Sequence, residues 1–175
     1  MKLLPISAAF VLVAFPAVAA DIDCGTANLV KSQKLKLEAC VDPTVWEAGQ
    51  GTGDQEFIYY TRDSKAGFAI VTEQAGGNDL KAYRDAILQM ATRQSGAAAP
   101  LTSFDDAPST IGGTQWGSMH YTVKVQEDSF EFLNYYYSAD GFGSIQFIFW
   151  SLPADAATVK SDLAGKVMST VALQQ

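Results

Sequence analysis

Hydrophobic and polar positions change their rhythm several times along the chain. Leu35, Leu37 and Ala39 alternate with Lys34, Lys36 and Glu38, a period of two that predicts a short strand ended by Asp42-Pro43. Phe57 to Thr61 and Phe68 to Thr72 are aromatic and β-branched runs flanking the polar turn Arg62 to Gly67, which predicts a hairpin. Leu80, Tyr83, Ile87, Met90 and Ala91 then recur at helical spacing, with Lys81, Arg84, Asp85, Gln89 and Arg93 on the other side. Asn78 is a candidate cap for this helix and Gly96 its stop. Residues 97–108 show no period and read as a connector.

Three long strands follow, Gln115 to Gln126, Phe130 to Ser138 and Phe142 to Trp150. Asp140-Gly141 marks the turn between the last two. In the first of them Met119, Tyr121, Val123 and Val125 face one way and Ser118, His120, Thr122 and Lys124 the other. Pro153 opens a final helix with the stripe Ala156, Val159, Leu163, Val167 and Val171. Strands run consecutively rather than alternating with helices. The expected class is therefore α+β, a mostly antiparallel sheet with two helices packed on one face.

The first twenty residues add a compartment. Lys2 precedes an uncharged apolar run, Leu3 to Val18, and Ala17-Val18-Ala19-Ala20 supplies the small residues that signal peptidase needs. Residues 1–20 read as a cleaved signal peptide and 21–175 as one domain. The run is short for a spanning helix, so no membrane span is expected after cleavage. Ile22-Asp23 precede Cys24, so no lipidation site is present there. The expected location is the periplasm or the secreted space.

Cleavage removes Lys2 and leaves 11 basic residues against 19 acidic ones, a net charge near −8. Such a surface repels phosphate backbones and anionic lipid, so nucleic acid is not an expected partner. Cys24 and Cys40 are the two cysteines. In an oxidising compartment they most simply pair, closing a loop worth roughly 3 kcal/mol. A redox pair is the other use, but the close Cys-x-x-Cys spacing is absent.

The chain resembles the Mog1/PsbP-like superfamily, including its bacterial envelope members. The resembling parts are Phe68-Ala69-Ile70-Val71 before the helix at Leu80 to Arg93, and Ile111-Gly112-Gly113-Thr114-Gln115-Trp116 leading into His120-Tyr121-Thr122-Val123. The hairpin Phe130 to Trp150 and the C-terminal helix complete the likeness. It spans roughly Lys34 to Leu173 and rests on patterning rather than a diagnostic motif. It implies a helix-backed antiparallel sheet and a family of adaptor or assembly factors rather than enzymes. PsbP-like members support photosystem assembly and Mog1-like members bind a small GTPase, but no partner-binding residue matches position by position.

Catalytic signatures are weak. His120 is the only histidine, and Ser118 lies two residues away, without a nucleophile-elbow motif. Gly49-Gln-Gly51-Thr-Gly53 lacks the Lys-Ser/Thr of a phosphate loop. Asp105-Asp106 and Glu127-Asp128 are carboxylate pairs without a calcium-loop pattern. No metal or cofactor is expected. Aromatics crowd the hairpin Phe130 to Trp150 and fall on both of its faces, so one face turns toward solvent or under other segments.

These features point to an exported, non-enzymatic binding or adaptor protein of the cell envelope with a protein partner. The candidate contact residues are Trp116, His120, Tyr136 and Trp150 on the open face of the sheet. The alternative is a small hydrolase or ligand-binding protein with a pocket between sheet and helices.

Overall fold

A computed structural model describes residues 22–97, 99–125 and 127–174. The proposed signal peptide, residues 1–20, lies outside the described residues. Strands β1 (Asn28–Lys31), β2 (Leu37–Val41), β3 (Trp46–Ala48), β4 (Gln55–Thr61) and β5 (Ala66–Glu73) precede helix α1 (Leu80–Ser95). Strands β6 (Phe104–Ile111), β7 (Thr114–Val125), β8 (Asp128–Ala139) and β9 (Gly143–Ser151) come next. A C-terminal helix, α2, is α-helical at Ala156–Thr158, opens into a π-helix at Val159–Ala164 and returns to α at Gly165–Met168. A short β10 (Ala172–Leu173) closes the chain.

The class is α+β with antiparallel pairing throughout. A seven-stranded sheet runs in the order β3-β4-β5-β9-β8-β7-β6, and a three-stranded one in the order β1-β2-β10. The long strands β8 and β9 lie at its centre and offer apolar residues to both faces. Phe68, Phe149 and Leu133 lie side by side across β5, β9 and β8, and their neighbours Gly67, Trp150 and Phe132 point the other way.

The helices do not share a face, which corrects the expected packing. Val159, Ala164, Val167 and Met168 of α2 join Phe68, Ile70, Phe147, Phe149 and Trp116, together with Leu37, Ala39 and Val41 of β2. Ile87 and Leu88 of α1 join Met119, Tyr121, Val123 and Tyr136 on the opposite face. The reason is that β8 and β9 are apolar on both sides. Leaving either face bare would cost roughly 25 cal/mol for each Å² of apolar surface left in water.

Two local expectations also shift. Asp79, not Asn78, caps α1, accepting a hydrogen bond from the Ala82 N–H at 2.9 Å. Asn78 instead ties α1 to the β8–β9 turn, donating to Asp140 Oδ2 and accepting from the Asp140 N–H. Gly96 ends the helix as expected, at φ 66°. The supposed connector contains β6, an edge strand whose residues are mostly exposed. Exposure on both sides erases alternation, and Pro108 is tolerated because an edge strand has spare N–H positions.

The cysteines are joined. Cys24 and Cys40 form a disulfide with Cα atoms 5.4 Å apart, tying the segment before β1 to β2. Among the described residues, no helix is long and apolar enough to cross a membrane.

Candidate binding cleft

The four residues singled out by sequence divide between the two faces of the sheet. The register places Gly117 opposite Tyr136, so Trp116 and His120 lie on the α2 face while Tyr136 and Trp150 lie on the α1 face. Trp116 is fully buried, its ring 5.4 Å from that of Tyr137 and 6.1 Å from that of Phe147. Tyr136 is buried under α1, edge-on to Tyr83 and packed over Gly117. Neither presents a surface to a partner. Burial of both corrects the picture of one exposed aromatic face, because α1 and α2 each take one of them.

Trp150 is different. It lies on the α1 face beyond the reach of the helix and is half-buried. Its indole meets Tyr60 edge to face, with centroids 5.9 Å apart. Each ring sits where a glycine leaves room. A Cβ on Gly67 would come within 2.4 Å of Trp150, and one on Gly49 within 2.6 Å of Tyr60. A glycine that lets a ring lie against the backbone is a close-approach device of β-sheets.

Around these rings α1 covers only part of its face, leaving a cleft of about 530 Å³. Its floor is Ile58, Ala69, Ile148, Phe132 and Trp150, and its helix wall is Ala91, Gln94 and Ser95. A second space of about 430 Å³ shares Thr52, Gln55, Ala91, Gln94, Tyr121 and Ile148 with it and continues beneath α1. The whole falls in the size range of ligand sites. Among the described residues, no charged side chain lines the outer cleft. The inner part is bordered by Asp54 and Glu73 and, among the described residues, by no Lys or Arg.

Beneath α1 the inner part meets a buried polar chain. Asn134 Nδ2 donates to Gln146 Oε1 at 3.1 Å, and Gln146 Nε2 donates to the Tyr83 hydroxyl at 3.2 Å. The Ser144 hydroxyl donates to Glu73 Oε2 at 3.0 Å. Asn134 is fully buried, and its Oδ1 has no hydrogen-bond partner among the described residues. Burial pushes the Tyr121 hydroxyl up to about 12, so it stays a neutral phenol.

His120 occupies a separate recess of about 330 Å³ between β7, β8 and the start of α2. Its Nδ1 lies 3.6 Å from Asp105 Oδ2, which also takes the Lys160 ammonium at 2.9 Å. Phe104 flanks the imidazole, ring centroids 5.5 Å apart, and Glu131 lines the recess. Burial first, and the Lys160 charge second, lower the imidazole pKa. Ser118 does not join this group, since its hydroxyl donates to the Ala107 carbonyl at 3.1 Å. Among the described residues, no group of three His, Cys, Asp or Glu side chains is placed to hold a metal ion.

Of the four candidates only Trp150 lines the outer cleft, and Tyr60, Phe130, Gln55 and Gln94, which line it too, are not among them.

The architecture is PsbP/Mog1-like. The solution structure of the cyanobacterial PsbP (CyanoP) from Synechocystis superposes with a TM-score of 0.64 at 15% identity, covering 93% of this chain and 99% of that one. A Bacteroides thetaiotaomicron crystal structure gives 0.57 at 12% identity, covering 86% of this chain and 49% of that one. A Pseudomonas aeruginosa protein of unknown function gives 0.50 at 11% identity, covering 86% and 99%. At these identities the likeness is one of fold. No family model matches the sequence, and no curated protein matches it.

Proposed function

We propose that this is an exported binding protein of the cell envelope that holds a segment of a protein partner in the cleft beside α1. The observation that carries the proposal is the outer cleft itself: an uncharged, aromatic surface on a protein with a net charge of −7. Exposed apolar patches of this kind mark interaction sites. Tyr60 remains 39% exposed at its mouth, so the cleft is an open groove suited to a chain segment. The Cys24–Cys40 disulfide supports an oxidising compartment, and the N-terminal pattern supports export. Of the four residues first singled out, Trp150 alone lines this cleft, with Tyr60, Phe130 and Ile58 beside it.

Photo-crosslinking in cells tests the proposal. A photoreactive phenylalanine in place of Phe130 is expected to capture a defined protein, and the capture is expected to vanish in Trp150→Ala. The same group at Lys36, in the exposed bend before β2, is the control. Equal capture from both positions, or capture indifferent to Trp150→Ala, overturns the cleft as the binding site.

A further inference from the structure

We infer that the partner segment is amphiphilic and cationic, an apolar stretch followed by Lys or Arg; this rests on the proposed cleft and names what fits it. The cleft is graded along its length. Trp150, Phe130, Tyr60 and Ile58 form the outer part, which is uncharged. The part beneath α1 is lined by Glu73 and by Asp54 of the exposed loop before β4, and among the described residues by no basic side chain. Glu73 Oε2 lies 3.0 Å from the Ser144 hydroxyl, whose single proton is shared with the Ala75 carbonyl at 2.9 Å.

Amide and hydroxyl groups bridge the two parts. Gln55, Gln94, Thr52 and Tyr121 line both. Gln55, Gln94 and Thr52 offer donors and acceptors to the backbone of a bound chain, while the floor, with the buried Tyr121, takes its apolar side chains. An anionic segment would meet two carboxylates without a counterion, a like-charge juxtaposition that discriminates strongly between partners. A neutral apolar segment would fill only the outer part. Charge complementarity therefore selects a segment whose apolar residues lie over Trp150 and whose cation points toward Glu73.

Calorimetry on the full mature chain with three capped peptides reads this directly. All share the body Phe-Leu-Phe-Leu and end in two Lys, two Gln or two Glu. The Lys peptide is expected to bind about tenfold more tightly than the Glu peptide, the usual scale for one well-placed charge contact. The preference is expected to disappear in the Asp54→Asn/Glu73→Gln variant and to shrink in high salt. Trp150→Ala is expected to weaken all three.

Equal affinity for the three peptides, lost in Trp150→Ala, overturns the cationic inference and leaves the cleft standing. No binding by the Lys peptide overturns the inference as well, and the Phe130 crosslink then decides the cleft separately. A Lys preference that survives Asp54→Asn/Glu73→Gln assigns the charge contact elsewhere and also overturns it.

Discussion

The indole of Trp150 occupies the space above Gly67, so closely that a Cβ on that residue would sit 2.4 Å from indole Cζ2. The two residues are directly paired across β5 and β9. The pairing explains how a large ring lies low on the sheet as part of the cleft floor instead of standing out into water. Gly67→Ala should lift the ring, costing about 1–3 kcal/mol as other overpacking changes do. It should also weaken partner capture, because the cleft floor is displaced. Thermal unfolding and the Phe130 crosslink report the two effects. An unchanged midpoint with full capture would show that the contact constrains nothing.

How far such a site can be read in advance follows from register. Alternation within β7 correctly separated Tyr121 and Val123 from His120, because side-chain direction reverses at each residue. It could not say which face of β7 joins which face of β8. That is decided by the pairing of Gly117 with Tyr136, a long-range relationship with no local signal. Trp116 and Tyr136 therefore read as companions on one surface and are found on opposite sides. Helix placement failed for the same cause. The stripes of α1 and α2 each predict burial, but neither stripe names its face. The disulfide was legible because only two cysteines exist. The Tyr60 edge of the cleft was not, since β4 carries apolar side chains on both faces and each residue gives the same local signal.

His120 provides a probe whose assignment needs no mutagenesis, because the chain holds a single imidazole. The groups facing it are Asp105, Lys160 and Glu131, with Phe104 against its ring. Burial and Lys160 lower its pKa, and the two carboxylates oppose them without prevailing. Its titration by NMR should therefore fall below the ordinary value of 6.5. Below 6.5 the unfolded chain takes up a proton that the folded chain resists, so this residue subtracts stability as pH falls through that value. Lys160→Met should move the midpoint upward and Asp105→Asn downward. A midpoint at or above 6.5 in the unmodified protein would contradict the buried placement.

Glu56 gives the opposite kind of acid sensitivity, from a carboxylate held charged. It clamps the β1–β2 loop onto the large sheet. It accepts from the Ser32 hydroxyl at 2.7 Å, from the Gln33 N–H and from the Thr72 hydroxyl. Burial alone would raise its pKa; the Thr72 and Ser32 hydroxyls and the Gln33 amide outweigh burial and hold it below 4.5. The folded pKa is depressed, so the stabilisation is complete above 4.5 and is lost as pH falls through the folded value. Glu56→Gln keeps one acceptor and one apolar stem but cannot titrate. The variant should be less stable at neutral pH, since a charged acceptor has been replaced by a neutral one. The difference should narrow as pH falls below 4.5. Denaturant midpoints measured for both proteins from pH 7 to pH 3 would show the convergence. A constant gap across that range would mean that Glu56 does not titrate with the fold, and that the loop is held by the Ser32 and Thr72 contacts in either charge state.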